Sequence, residues 1–248
     1  MTTDIQDAPR ITRQRHDLVR RALSVTRAER LTPKMIRLAL SGPGLQGFVS
    51  GAPDDHFKLF VPDASGESVG RDYTPRHYDG QELIVDVYDH PGGPAADWSR
   101  AVKVGDTAHI GGPRGSVIID GDIAHWLLIG DETAIPAIAR RLEELPGGSA
   151  TVIIAVEGPT EEQPLVSKAS LEVTWVHRAA AESADPASLL AALPATLPAR
   201  SFAWIAAEGG VARALREALL AQGHPLQWLK AAGYWVRGEA NASVKAMD

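Results

Sequence analysis

The sequence predicts a two-domain α+β protein, in which an antiparallel six-stranded β-barrel precedes an α/β domain with a parallel sheet. In the first half, short runs of apolar and polar residues are separated by clusters of glycine, proline and aspartate, as is typical of a small antiparallel barrel. In the second half, apolar strand-like runs alternate with segments of helical period, which indicates a parallel sheet. The predicted parts are a flexible N-terminus over residues 1–17, a barrel domain over 18–122 and an α/β domain over 123–248.

The barrel strands are predicted from apolar residues at every second position. Residues 35–40 alternate regularly and residues 56–61 less strictly, and turn signals such as Gly42-Pro43-Gly44 separate the runs. One helix is predicted over 95–101, directly after the Gly92-Gly93-Pro94 turn. The six predicted strands are 24–26, 35–40, 56–61, 83–88, 107–110 and 117–119.

The α/β elements are predicted from a change of period. A buried-type strand is followed by a helix whose apolar side chains share one face, namely Ile135, Ile138, Leu142 and Leu145. The segment 229–238 mixes aromatic and cationic residues, and it has two interpretations: a docked segment that buries Trp235, or a lid over the site. The predicted strands are 126–129, 151–156, 171–176 and 202–206, and the predicted helices are 135–145, 188–193 and 211–221.

Composition excludes several kinds of chemistry. The chain of 248 residues has no cysteine, which excludes disulfides, a thiol nucleophile, a cysteine zinc site and a protein-ligated iron–sulfur cluster. Any redox chemistry therefore needs a bound organic cofactor or the substrate itself. A net charge of −6 favours neither a nucleic-acid nor a membrane partner, although it is compatible with a local basic pocket. We expect a cytoplasmic protein, because no apolar run is long enough for a membrane span or a secretory signal.

The sharpest motif is Arg71-Asp72-Tyr73-Thr74-Pro75-Arg76. It offers a cation for a pyrophosphate, an aromatic plane for a flavin ring and a hydroxyl for a ring nitrogen. Arg71 and Tyr73 are two residues apart, so on a strand they share a face, and Thr74 points the other way unless the strand bends. A plain charged edge strand would show the same short pattern, so the motif needs its context.

A second motif, Gly130-Asp131-Glu132-Thr133-Ala134-Ile135-Pro136, occupies the strand–turn–helix position of a dinucleotide-binding loop. It departs from the glycine-rich consensus, because Asp131 and Glu132 bring negative charge to a helix start that would otherwise attract phosphate. Thr133 is predicted to be the N-cap, and Pro136 is compatible with the first helical turn. A well-capped helix without a ligand is the alternative interpretation.

The order and spacing of these motifs resemble the siderophore-interacting protein family. The pattern V-x-x-x-x-x-L-T-P-x-M-I-R-L-x-L-x-G-x-G-L-x-x-F is followed by R-D-Y-T-P-R, G-G-P-A-A-D-W, G-G-P-R-G-S, G-D-E-T-A-I-P-A-I-A and G-Y-W-V-R-G. The resemblance covers the chain from about Leu18 to Gly238. It implies a ferredoxin reductase-like architecture, with a flavin-binding barrel and a nucleotide-binding α/β domain.

The resemblance also implies an activity, that of a ferric-siderophore reductase. NADPH or NADH would reduce bound FAD by hydride transfer, and the flavin would pass single electrons to Fe(III) held by the siderophore. Two alternatives are a flavin reductase for another acceptor and a non-catalytic siderophore-binding protein. The family further suggests a monomer, with reduced ferredoxin as another potential donor.

Several residue roles follow from the resemblance for FAD. Arg71 would hold the pyrophosphate, Tyr73 would lie against the isoalloxazine ring, and Thr74 would hydrogen-bond near its redox-active edge. His90 would contact the FAD chain. Small residues at a helix start let backbone N–H groups approach phosphate, a role given to Ala95 and Ala96.

The remaining predicted contacts concern the donor and the substrate. Asp131, Thr133 and Ala134 would face the flavin and the nicotinamide, and Lys58, Lys230 and Arg237 would attract an anionic ferric chelate. An acidic residue such as Glu157 at the end of the second strand suits the ribose hydroxyls of NADH. Arg178 after the third strand suits the extra phosphate of NADPH, so the choice of dinucleotide stays open. No two of the eight histidines have a short metal-ligand spacing, and we predict no protein-bound metal.

Overall fold

The computed structural model describes residues 8–244, and the chain divides into two compact units. One unit is built mainly from Thr12–Ile118, and the other consists mainly of the residues that follow Ile118. The sequence analysis placed the boundary four residues later, after residue 122. No helix of the described part is long and apolar enough to cross a bilayer.

The N-terminal unit is an antiparallel β structure. Seven strands form one sheet in the order β5-β4-β8-β2-β3-β7-β6, and β1 pairs with β9 in a separate two-stranded sheet. The strands are β1 (Arg10–Arg15), β2 (Arg20–Thr32), β3 (Met35–Ser41), β4 (Phe57–Pro62), β5 (Ser68–Tyr73), β6 (Pro75–Tyr78), β7 (Glu82–Tyr88), β8 (Thr107–Gly111) and β9 (Gly115–Asp120), with one helix, α1 (Pro94–Ala101).

The two edge strands of the seven-stranded sheet are neighbours in sequence. Thr74 alone joins the end of β5 to the start of β6. Pro75 explains the break, because proline donates no backbone hydrogen bond and restricts the residue before it. Because β5 and β6 are joined by one residue but lie at opposite edges of the sheet, the sheet must curl into a half-barrel. Tyr73 and Thr74 lie where its two edges approach each other.

The C-terminal unit contains a five-stranded parallel sheet in the order β12-β11-β10-β13-β14. The inner strands β10 and β13 are buried along their whole length, as parallel strands covered on both faces usually are. The elements are β10 (His125–Gly130), α2 (Ile135–Glu144), β11 (Ser149–Val156), β12 (Ser170–His177), α3 (Ala187–Ala191), β13 (Ser201–Glu208), α4 (Gly209–Ala221) and β14 (Leu229–Trp235).

Each unit has its own apolar core. In the C-terminal unit, Val211, Leu215 and Leu219 of α4 pack with Leu189 of α3 onto one face of the sheet. The predicted apolar face of α2 is confirmed, because all four of its side chains are buried. In the N-terminal unit, β2, β3, β4, β7 and β8 enclose the core, and α1 contributes Ala95 to it.

The structure differs from the predicted elements in three places. Residues 10–15, which were expected to be flexible, form β1, while residues 1–7 lie outside the described part. The curled sheet has seven strands and not six, because the predicted strand 117–119 pairs with β1 elsewhere and the Arg71–Arg76 motif supplies two strands of its own. Residues 229–235 are a strand of the parallel sheet, which neither interpretation of this segment predicted, and a lid over the flavin stays a prediction.

Candidate functional site

The first candidate site lies at the closure of the curled sheet. Tyr73 lies opposite Phe57 of β4 and packs against the apolar core. Burial raises the pKa of Tyr73 above its ordinary value. Arg71, two residues earlier in the same strand, is half-buried and donates from Nη1 to the carbonyl oxygen of Gly70 at 3.0 Å. Thr74 is buried in the single-residue link. The motif therefore places a cation and an aromatic ring on one face, as its spacing predicts.

The charged residues around this motif are held by ion pairs. Lys58 Nζ donates to Asp72 Oδ1 at 3.0 Å across the β4–β5 pair. On β7, the buried Asp86 accepts two hydrogen bonds of 2.7 Å from Arg37, and Arg76 Nε lies 4.0 Å from its Oδ2. Lys58, a predicted substrate contact, thus has Asp72 beside it, and any anion that it binds must compete with that carboxylate.

The start of α1 forms a tight backbone cradle in the same unit. A Cβ at Gly93 would lie 2.5 Å from the ring of His90, so only glycine fits there while the histidine keeps its place. The helix begins with Pro94, and no side chain caps it. Ala95 and Ala96 follow and are buried. The predicted groups His90, Ala95 and Ala96 are therefore brought together around one uncapped helix start.

These residues fit a flavin dinucleotide in three respects. Arg71 supplies a guanidinium for phosphate oxygens, and the uncapped start of α1 supplies backbone amides and a favourable dipole. Tyr73 supplies an aromatic plane that is fixed by its packing. The α1 helix packs on β4, the strand that also pairs with β5, so the cradle and the motif flank one strand of the same unit.

The second candidate site lies at the carboxyl edge of the parallel sheet, where Asp131 connects three elements. Its Oδ1 accepts hydrogen bonds from the backbone N of Thr133 at 2.9 Å and from its hydroxyl at 2.6 Å. Its Oδ2 accepts from the backbone N of Glu208 at 3.0 Å and from Trp235 Nε1 at 2.8 Å. The carboxylate therefore joins the ends of β10, β13 and β14.

The prediction that Thr133 caps α2 is wrong. The N-cap is Ala134, with no side-chain cap, because the Thr133 hydroxyl turns back to Asp131 in an Asx-type turn. Ala134 is fully buried, and its amide donates to the Asp131 carbonyl oxygen at 3.0 Å, which gives it a packing role in this turn. Pro136 lies in the first helical turn, as predicted.

A buried ion pair lies beside Asp131. Arg178 donates to both carboxylate oxygens of Glu132, at 3.1 and 2.7 Å, and both side chains are almost completely buried. Burial and the negative charge of Asp131 raise the pKa of Glu132 to about 7, although Arg178 acts in the opposite direction. Arg178 is thus held by Glu132 and is not the exposed cation that the sequence suggested for a 2′-phosphate.

Glu208 and Arg237 complete this edge of the sheet. Glu208 Oε2 accepts from the backbone N of Gly210 and Val211 and so caps α4, while its Oε1 accepts from the backbone N of Arg237. The Arg237 guanidinium donates to the carbonyl oxygens of Ala180 and Ala181 and to Ser183 Oγ, at 2.8 to 2.9 Å. Arg237 therefore clamps a neighbouring turn, and its role in attracting an anionic chelate stays a prediction.

The other predicted residues are placed as follows. Lys230 lies in the middle of β14, opposite Trp204, and is half-buried. The sequence analysis missed Glu208 and the Asp131–Trp235 contact, because glutamate is not a favoured N-cap residue and Trp235 is 104 positions from Asp131. Among residues 8–244, no group of three or more histidine, aspartate and glutamate side chains is arranged to hold a metal ion.

Comparison with known proteins gives the family to which this chain is similar. Residues 123–238 match the family "Siderophore-interacting protein", and residues 24–70 and 64–117 match "Siderophore-interacting FAD-binding domain". An NADPH-dependent ferric-chelate reductase of Escherichia coli is 32% identical over 90% of this chain and 95% of its own length. A ferric vibriobactin reductase of Vibrio cholerae is 26% identical over 64% of this chain and 66% of its own. The crystal structure of a siderophore utilization protein from T. fusca has a TM-score of 0.87 and 33% identity, and covers 95% of this chain and 99% of that one.

Proposed function

The chain belongs to the siderophore-interacting protein family, and we propose that it is a flavin-dependent ferric-siderophore reductase. The observation that carries the proposal is the placement of Arg71 and Tyr73 on one face at the closure of the curled sheet, in the unit that matches a FAD-binding domain. A relative that covers nearly the whole chain is named as an NADPH-dependent ferric-chelate reductase, which supports both the substrate class and the donor.

In this proposal the N-terminal unit binds FAD. Arg71 and the backbone amides at the start of α1 hold the phosphates, and His90 lines the same helix start. Tyr73 orients the ring system, and Thr74 offers its hydroxyl in a position fixed by the half-barrel closure. When bound, FAD converts the two-electron reduction by a nicotinamide dinucleotide into the one-electron steps that Fe(III) requires.

The C-terminal unit binds the dinucleotide at the carboxyl edge of its sheet. The strand order reverses direction between β10 and β13, and open parallel sheets bind ligands at such a switch point. Asp131 and Thr133 lie at that point and shape the edge through their hydrogen bonds. NADPH and NADH are the donors that we propose, and reduced ferredoxin is the alternative.

No side chain is required to act as a general acid or base. Reduction weakens the hold of hard oxygen ligands on the iron, so release of Fe(II) follows from the chemistry of the chelate. The residues of this chain bind, orient and exclude water. We propose that the protein acts as a monomer in the cytoplasm.

A spectroscopic titration tests the proposal. The purified protein, incubated with FAD, is expected to show flavin absorbance that bleaches under anaerobic conditions with NADPH or NADH and returns when a ferric siderophore is added. An Fe(II)-specific dye should report iron release in the same experiment. Flavin that is reduced but never reoxidised by ferric chelates would indicate a reductase for another acceptor. Chelate binding with no flavin would leave a non-catalytic siderophore-binding protein.

The substrate contacts are a separate part of the proposal. We retain Lys58 and Lys230 as contacts for an anionic chelate, because each is only half-buried. The substitution Lys58→Gln is expected to raise the KM for an anionic ferric chelate by about threefold to tenfold, as removal of one partly screened charge should. The KM for a neutral ferric chelate is the control, and an equal rise for both chelates would contradict an electrostatic role.

A further inference from the structure

Four exposed arginines of the N-terminal unit have no acidic partner among the described residues. They are Arg13, Arg15, Arg20 and Arg114. Elsewhere in this unit, arginines generally meet acids, as Arg30 and Arg100 do at Asp89 and Arg37 does at Asp86. Arg20 has an aromatic contact instead, since its guanidinium carbon lies 4.0 Å from the centroid of the Phe60 ring. No described acid neutralises any of the four charges, so all four can attract an anionic partner.

The four arginines lie on neighbouring segments, because backbone hydrogen bonds hold these segments together. The backbone N of His16 donates to the Arg114 carbonyl oxygen at 2.9 Å, and that of Gly112 donates to the Val19 carbonyl oxygen at 3.2 Å. Arg20 pairs in register with Gly111. Arg13 and Arg15 are two residues apart on β1, so they share a face.

Exposed aliphatic side chains lie among these cations. Leu18 is 60% exposed, Val19 41% and Val49 47%. Val19 and Val49 line a cleft of about 450 Å³ together with Arg15 and Arg21. Asp17 is the one acidic residue that lines the cleft, so the surface as a whole is basic and apolar. We call the surface formed by Arg13, Arg15, Leu18, Val19, Arg20, Val49 and Arg114 the basic ribbon surface.

Hydrogen bonds to buried residues anchor the backbone of the basic ribbon surface. His16 Nε2 lies 2.8 Å from Ser116 Oγ, and that hydroxyl donates to Asp55 Oδ2 at 2.7 Å. Asp55 and Ser116 are buried, so the segment between β1 and β2 is anchored to the unit. The exposed side chains are therefore presented on a fixed backbone.

We propose that the basic ribbon surface binds anionic lipid bilayers. Arginines attract the negative headgroups, and their aliphatic stems allow the guanidinium groups to stay at the headgroup level while neighbouring apolar residues enter the interface. The apolar residues here are leucine and valine, and unpaired arginines beside exposed aliphatic side chains complement both the charge and the acyl region of an anionic bilayer.

Vesicle sedimentation tests the proposal with the full-length protein. Wild-type protein at low salt is expected to sediment with vesicles of phosphatidylcholine and phosphatidylglycerol at a ratio of about 7:3, but not with pure phosphatidylcholine. The variant R13Q/R15Q/R20Q should lose at least about tenfold in partitioning, and about 0.5 M salt should abolish the binding of wild type. Leu18→Ser should weaken binding without a change in charge.

A matched control separates a local effect from net charge. The variant R27Q/K103Q/R213Q removes the same number of exposed positive charges outside the basic ribbon surface and should keep wild-type partitioning. Thermal unfolding of each variant shows that it is folded. Equal losses in both triple variants, or no sedimentation with anionic vesicles, would overturn the proposal, and the second result would leave an acidic protein as the partner. Lipid binding requires neither flavin nor iron, so this test is independent of the proposed enzymatic function.

Discussion

Arg71 shows how much depends on a single residue of the N-terminal unit. Its guanidinium has one carbonyl contact within its own strand and lies half-buried beside Tyr73. We expect Arg71→Ala to weaken FAD binding by at least about tenfold, because charge-assisted hydrogen bonds to phosphate contribute about 1.5–3 kcal/mol. Fluorescence titration with FAD measures the effect, and Arg27→Ala, an exposed arginine of β2, is the control. Unchanged FAD affinity in Arg71→Ala would refute the assigned role.

Asp131 is the corresponding residue of the C-terminal unit. Its carboxylate accepts four hydrogen bonds from three segments, and it is 2% exposed. Asparagine has nearly the same shape but presents an NH₂ group to donors, so Asp131→Asn should cost about 2–4 kcal/mol of unfolding free energy. Urea unfolding provides the measurement, with the exposed Asp120→Asn as the control. A loss of less than about 0.5 kcal/mol would show that the four contacts contribute little.

At the scale of elements, sequence periodicity predicted the helices and strands whose apolar residues follow a regular local pattern. The apolar face of α2 and the strands β10, β11 and β13 follow from runs of apolar residues, and their boundaries differ by a few residues at most. Strand β14 was not predicted as a strand, because Lys230, two alanines and Gly233 have low β-propensity. Strand β1 was missed because its partner β9 lies about 100 residues away and both of its faces are exposed.

The contacts of the candidate sites also fall into those that local spacing predicts and those that it does not. The spacing of Arg71 and Tyr73 predicted their shared face, since alternation is a local rule. The Asp131–Trp235 and Glu132–Arg178 contacts join residues 104 and 46 positions apart, so only the folded sheet reveals them. Thr133 was assigned a cap because its residue type is common there, but its hydroxyl lies against the Asp131 carboxylate, to which it donates, and the helix begins one residue later.

The placement of β14 as an edge strand leads to a prediction about that element. A Cβ at Gly233 would lie 2.7 Å from the Cα of Gly209, which is backbone and cannot move aside. We therefore expect Gly233→Ala to displace β14 from β13 and to cost about 1–3 kcal/mol, the usual range for overpacking. Gly147→Ala is the control, because no atom lies within 4 Å of a Cβ there. Differential scanning fluorimetry compares the two variants, and equal melting temperatures would contradict the close approach of β14 to α4.

At the scale of the whole molecule, the two units differ in how deeply their charged groups are buried. In the N-terminal unit most ion pairs lie at the surface, where each contributes little. In the C-terminal unit the pair of Glu132 and Arg178 is buried, and Asp131 and Glu208 are buried close to it. Buried charges cost desolvation free energy, so the stability of this unit should depend on pH through a small number of groups.

Glu132 is one group through which the stability of this unit should depend on pH. Burial is the largest cause that raises its pKa from 4.5 to about 7 in the folded state. Between pH 4.5 and about pH 7 the folded state therefore keeps a proton that the unfolded state has released. The stability contributed by this group is therefore present below about pH 4.5 and is lost as the pH rises toward 7, by at most about 3 kcal/mol. Glu132→Gln cannot titrate and should flatten the curve over this window. Urea unfolding between pH 4.5 and 7.5 compares the two proteins, with Glu144→Gln on the same helix region as the control. Parallel stability curves for the wild type and Glu132→Gln through this window would show that Arg178 keeps Glu132 ionised, and that the two residues form a permanent ion pair at the carboxyl edge.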